Sequence, residues 1–192
     1  MTPTLPTLVL ANFLFMGALP TLFFRRASRC NLMWWVTAAP FLVAGRVLAV
    51  ARHAEVAAWV EWAPPLATAV AIAVVLCSGA SMALIVAACR AHRQPPALWH
   101  QEDDQPPALV TAGAYARIRH PLYAAYLLAL IAAALAFPHP ITAAALPTGW
   151  WLLARTARRE EQRLCASPLG GEYAAYMHRT GRFWPRWKGT VA

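Results

Sequence analysis

Long, almost uncharged apolar runs constrain this chain more than any other feature of its sequence. Residues 5–24, 32–50 and 63–89 each approach or exceed twenty residues, enough at 1.5 Å per residue to cross a hydrocarbon core of about 30 Å. Arg25, Arg26 and Arg29 close the first. The second carries Trp34 and Trp35 where an interfacial aromatic belt would sit, and one charge, Arg46, near enough to its end to snorkel. The third begins at Pro64-Pro65 and holds Gly79 and Ala83 in small-x-x-x-small spacing, which predicts close helix packing there. Two shorter runs, 122–137 and 141–153, flank Pro138-His139-Pro140. As helices of about 24 Å and about 20 Å, they predict a hairpin that tilts, thins the membrane or packs inside the protein. The expected fold is all-α: a polytopic membrane bundle of about five transmembrane helices.

Composition agrees with lipid as the main solvent, since 59% of the 192 residues are hydrophobic and only 13% are charged, against roughly a quarter charged in soluble domains. The length predicts one domain, 1–192, with N-terminal transmembrane helices over 1–89 and a C-terminal part over 90–192. That second part holds a proline-rich loop from Arg90 to Arg119 with the acidic group Glu102, Asp103 and Asp104, then the hairpin, then a charged segment. The charged segment is expected to be helical to about Cys165, broken at Pro168-Leu169-Gly170-Gly171, and helical again from Glu172 to Arg179.

The net charge of +9 is nearly all arginine, Lys188 being the only lysine. These cations flank apolar runs and do not interleave with aromatics on one face, which argues for membrane topology and against a nucleic-acid partner. Placing the first connector, the long loop and the C-terminal tail on one side gathers every basic residue there except Arg46 and Arg52. The positive-inside rule then predicts an N-terminus outside, five crossings, and the long loop and tail in the cytoplasm; heavy use of arginine and alanine suggests a bacterial inner membrane. The apolar N-terminus has no basic residue before it, so it is expected to stay as a helix rather than act as a secretory signal. Cys30, Cys77, Cys89 and Cys165 lack paired spacing and are expected to be small buried side chains, with no metal or disulfide role.

Two segments could carry chemistry. In the first, Leu109 to Tyr123, Pro121 fits the first position of a helix, so a helix N-terminus would follow directly on Arg117, Arg119 and His120. Such an arrangement suits an anionic group, and equally suits arginines that bind lipid phosphates beside a capping histidine. In the second, Arg155 to Leu164, adjacent Glu160 and Glu161 would point about 100° apart on a helix. Taken alone, that segment predicts a solvated face in which Arg158 pairs with Glu161 and Arg163 with Glu160.

Together with Leu169-Gly170-Gly171-Glu172-Tyr173-Ala174-Ala175-Tyr176 and Arg179-Thr180-Gly181-Arg182-Phe183-Trp184-Pro185, these segments resemble the isoprenylcysteine carboxyl methyltransferase family and its bacterial and archaeal relatives. Order and spacing match from Leu109 to Pro185, while the N-terminal helices are alike only in being hydrophobic. The resemblance implies that the C-terminal half encloses S-adenosylmethionine at the cytoplasmic face and transfers its methyl group to a lipophilic acceptor, most simply the carboxylate of an isoprenylcysteine-like molecule. It implies that Leu109, Val110 and Tyr115 line the cofactor pocket, that His120, Pro121, Leu122 and Tyr123 contact the cofactor, and that Glu160 binds it. Thr156 stands where carboxylate-methylating members have a substrate-contacting arginine, with Arg155 beside it. Ala125 and Gly181 replace a common glycine and a common proline. An amine acceptor would require a base, for which Glu161 and His120 are the candidates. Phospholipid amine or small-thiol methylation and a non-catalytic scaffold are the competing expectations; a nicotinamide-dependent reductase has no Gly-x-Gly-x-x-Gly turn to support it.

Overall fold

Three of the helices start at a proline, where the missing N–H costs no intrahelical hydrogen bond. A computed structural model describes residues 4–23, 41–50, 61–91 and 108–186, and the regular structure among them is helical. The helices are α1 (Thr4–Phe23), α2 (Phe41–Val50), α3 (Pro64–Ala91), α4 (Pro121–Ala136), α5 (Pro140–Cys165) and α6 (Gly170–Arg179), with a 3-10 turn at Gly113–Ala116 before α4. Arg25, Arg26, Arg29, Cys30, Trp34, Trp35, Arg52 and the acidic group at Glu102, Asp103 and Asp104 lie outside the described residues.

α4 is apolar all round and sits at the centre, the position such a helix must take among neighbours. Ala124, Ala125, Ala129, Ala132, Ala133 and Ala136 are fully buried, and their short side chains let α1, α3 and α5 approach its backbone. The closest approach is polar as well as small: the Ser81 hydroxyl of α3 donates to the Ala125 carbonyl at 2.8 Å and lies 3.4 Å from Asn12 Oδ1 of α1. Inside an apolar bundle an unmatched hydroxyl is costly, so this bond fixes the register of α3 against α4. At the far end of α4, Trp62 Nε1 donates to the Leu135 carbonyl at 3.2 Å.

α3 packs through Val70, Val74, Ser78, Ser81, Ile85 and Ala88, spaced by fours and threes along one face. This corrects the packing role expected of Gly79 and Ala83. Both are exposed, and a Cβ on Gly79 would meet nothing within 4 Å. The outward face of α3 presents Leu66, Ile72, Val75, Leu76 and Val86, each more than a third exposed. Among the described residues α3 alone is long and apolar enough to cross a membrane.

The apolar run 141–153 and the charged segment after it form one continuous helix, α5, with an apolar first half and a charged second half. His139 begins it: the Ile141 amide donates to His139 Nδ1, and the Thr142 hydroxyl reaches the Phe137 and His139 carbonyls. At its other end Cys165 is exposed, contrary to the buried role expected of the cysteines, because it falls on the solvent face where α5 turns toward α6. A small second core of Leu164, Tyr173 and Tyr176, with Leu109 and Met177 against it, joins α5, α6 and the segment before the 3-10 turn.

Candidate functional site

Backbone pairing first draws the two motif segments together. Ile118 and Gly181 form an isolated parallel bridge. The Arg119 amide donates to the Gly181 carbonyl at 2.8 Å, the His120 amide to the Arg182 carbonyl at 3.0 Å, and the Gly181 amide to the Arg117 carbonyl at 3.1 Å. Glycine is required here, since a Cβ at 181 would lie 1.8 Å from the Trp184 carbonyl oxygen. A proline at 181 would also lack the donor that reaches Arg117. The turn preceding the bridge has its own glycine requirement, because Gly113 adopts φ +61°.

The two glutamates then divide their partners. Glu160 accepts the Tyr123 hydroxyl at 2.5 Å, and its second oxygen lies 3.4 Å from His120 Nδ1. Glu161 is buried and accepts Arg119 Nε at 2.9 Å and Arg182 Nε and Nη2 at 3.1 Å and 2.5 Å. His120 Nε2 lies 3.4 Å from Glu161 Oε1, a charge contact without hydrogen-bond geometry, and has no hydrogen-bond partner of its own. Arg119 continues to the end of α6, donating through Nη1 to the Met177 and Thr180 carbonyls. The expected solvated face is thereby corrected: Glu161 turns to cations across the fold, because the β-bridge delivers Arg119 and Arg182 to the inner side of α5.

Burial alone would raise the Glu161 pKa, but the contact with His120, the hydrogen bonds from Arg182 and Arg119 and the charge of Arg119 outweigh it and hold the carboxyl far below the usual range. For His120 burial acts downward, yet the adjoining carboxylates of Glu160 and Glu161 dominate and raise its pKa above the ordinary histidine value. Glu161 therefore carries a fixed negative charge that orders cations, and the two carboxylates favour the protonated form of His120.

Aromatic rings enclose the cluster. His120 stacks on Tyr123 with ring centroids 5.3 Å apart and packs edge-on against Phe183, which meets Trp150 edge-on at 5.5 Å. The Tyr176 hydroxyl donates to the Tyr115 carbonyl at 2.6 Å, and burial first, then the neighbouring Tyr176, raises the Tyr115 pKa. Leu109, Val110 and Leu122 are half-buried, and Pro121 is buried at the first position of α4. Of the singled-out residues, His120, Tyr123, Glu160 and Glu161 thus meet in one cluster. Tyr115 and Leu109 join it through Tyr176 and the small core.

Arg155 does not join it. Its side chain is exposed, with the guanidinium over the Trp151 ring at 5.5 Å. Thr156 faces inward instead, and its hydroxyl donates to the Leu152 carbonyl at 2.9 Å. Arg182 and Phe183 are site residues that the sequence showed only within the tail motif, without a role, and Arg119, expected beside an anionic group, is held by Glu161. Of the two arginines expected there, Arg117 is exposed and Arg119 points in, since alternate positions of an extended segment face opposite sides.

Among the described residues no group of three or more His, Cys, Asp and Glu could hold a metal ion. A sulfonium cofactor with an amino-acid end and an adenosine end calls for a carboxylate, hydrogen-bonding groups and flat apolar surfaces. The cluster has each: the partly accessible Glu160, the buried and unpartnered His120 Nε2, and the Tyr123 and Tyr115 rings. Compared with family models, curated proteins and solved structures, the chain matches none.

Proposed function

We propose that the protein is a membrane methyltransferase that uses S-adenosylmethionine and an acceptor dissolved in the bilayer. The observation that carries this is the 2.5 Å bond between Tyr123 and Glu160, 37 residues apart, which unites the segment entering α4 with the acidic half of α5 around His120. Leu109, Val110, Tyr115, His120, Pro121, Leu122, Tyr123 and Glu160 would hold the cofactor, which supplies a methyl group already activated on a cationic sulfur.

In this reading the protein's residues bind, orient and exclude water. Glu160 offers a carboxylate to the cofactor's positive charge, and Tyr123 fixes that carboxylate's direction. Glu161 is a positioning residue: its charge locks Arg119 and Arg182, and through the bridge it fixes the backbone at His120. Holding an acceptor in line with the transferred carbon supplies about 7–11 kcal/mol by proximity alone, so a carboxylate or thiolate acceptor needs no general base. An amine acceptor must lose a proton. His120 suits that task better than Glu161, whose pKa is held far too low to accept one.

The acceptor's lipophilic character follows from the apolar outer face of α3 and the shorter apolar helices around α4. We extend this to five crossings of a bacterial inner membrane, N-terminus outside and C-terminal half in the cytoplasm, with membrane lipids as neighbours. The first choice of acceptor is the carboxylate of an isoprenylcysteine-like molecule. The outward turn of Arg155 and the inward Thr156 favour a second, an amine or thiol, because neither needs an arginine to hold it. Purified protein incubated with membrane extract and isotopically labelled S-adenosylmethionine should give a labelled hydrophobic product, identified by mass spectrometry as ester, methylated amine or thioether. Failure of the purified protein to bind either the cofactor or its demethylated product would refute the proposal and leave a scaffold.

A further inference from the structure

On α5 the residues Arg158, Gln162 and Cys165 follow one another at intervals of four and three, so they share a face. That face, with Arg182 and Met177 opposite, lines a groove of about 510 Å³ at the corner between α5 and α6. Tyr123, His120 and Glu160 do not line it, so it adjoins the cluster described above, sharing Glu161 and Arg182 with it, and opens on their other side. Its one carboxylate, Glu161, is buried and already answered by Arg119 and Arg182. Arg182 spends Nε and Nη2 on Glu161, leaving Nη1. Arg158 is exposed on the opposite wall. Two guanidiniums facing a groove whose only acid is neutralised make a surface suited to an oxyanion, and the Met177 side chain adds an apolar patch beside it.

Position selects the oxyanion. Arg158 lies five residues past Leu153, the last apolar residue of the run, or about 7.5 Å along the helix axis. That is the depth of the polar layer on one side of a bilayer, where phosphates reside. We infer that the groove between Arg158 and Arg182 is a second binding site, for the phosphate group of a phosphate-bearing ligand. The site rests on the proposed membrane placement of α5 but not on methyl transfer, and stands if that activity is absent.

Cys165 is an exposed free thiol lining the groove and so reports on its occupancy. The full-length protein carrying Cys30→Ser is treated with N-ethylmaleimide, and the rate of modification at Cys165 is followed by mass spectrometry. One arm uses micelles with inorganic phosphate against chloride at equal ionic strength; the other uses nanodiscs of phosphatidylglycerol against phosphatidylcholine. We expect slowing by phosphate. Arg158→Ala should raise the half-protecting phosphate concentration about tenfold, equivalent to about 1.4 kcal/mol, and Arg158→Lys should restore most of the protection. Slowing in phosphatidylglycerol discs but not by inorganic phosphate, lost in Arg158→Ala, assigns the phosphate to a lipid headgroup. Slowing by inorganic phosphate with the same dependence assigns it to a soluble ligand. No slowing in either arm, equal slowing by chloride, or slowing that survives Arg158→Ala overturns the inference.

Discussion

Replacing Glu161 by glutamine tests whether this carboxylate holds the site together. The change keeps the shape of the side chain and removes the charge that Arg119, Arg182 and His120 share. Breaking a buried pair by removing one partner costs about 3–5 kcal/mol. Arg119 has only 11% of its side chain exposed, whereas Arg182 has 33% and recovers much of its loss in water. The lower figure, about 3 kcal/mol, is therefore the one to expect. It should appear locally, because the cations tie the tail to α5 while α4 is held independently by its alanine packing. Expressed as opening of the Ile118–Gly181 bridge, about 3 kcal/mol is a rise of roughly a hundredfold in the open population. Hydrogen exchange followed by mass spectrometry in nanodiscs should show faster exchange at the amides of Arg119, His120 and Gly181, with α4 unchanged. If exchange at these amides differs from the parent protein by less than threefold, equivalent to about 0.6 kcal/mol, the carboxylate does not lock the bridge.

The remaining expectations concern other parts of the cluster and the bundle. Tyr123→Phe removes the bond to Glu160 and should weaken S-adenosylmethionine binding about tenfold by calorimetry, the effect of about 1.4 kcal/mol from one charge-assisted bond, while leaving exchange at Gly181 unaltered. Gly113→Ala places a Cβ at φ +61° and should lower thermal stability by about 1–2 kcal/mol; an unchanged melting temperature would contradict the turn. Because the His120 pKa is raised in the fold, its contribution is complete below the unfolded value of about 6.5 and is lost as pH rises through the folded value. Glu161 behaves oppositely, contributing fully above its ordinary 4.5 and failing only in strong acid. Tail protection from exchange, corrected for intrinsic rate, should thus decline on the alkaline side in the parent protein and show no such decline in His120→Gln.

Periodicity and end signals made much of the fold legible. Prolines at 64, 121 and 140 mark the starts of three helices, and Pro168-Leu169 falls in the break before the last, which starts at Gly170 and not, as expected, at Glu172. The meeting of Tyr123 with Glu160 was legible through the resemblance, which orders the two segments around one cofactor. The partners of Glu161 were not, because helical spacing reports only neighbours along the same helix. Arg119 and Arg182 lie 42 and 21 residues away and arrive by a backbone bridge that leaves no periodic trace. The packing face of α3 escaped for a related reason. Gly79 and Ala83 share a face by spacing, but which face turns inward was decided by Ser81 finding the Ala125 carbonyl.

The bridge between residues 118 and 181 also sets an order of assembly. Arg182, the second guanidinium on Glu161, lies beyond the end of α6, so the pairing closes only once the chain past the last helix is in place. A chain cut before Gly181 would keep the described helices yet leave the segment before α4 without its bridge, so Arg119 and Arg182 would no longer be brought together on Glu161.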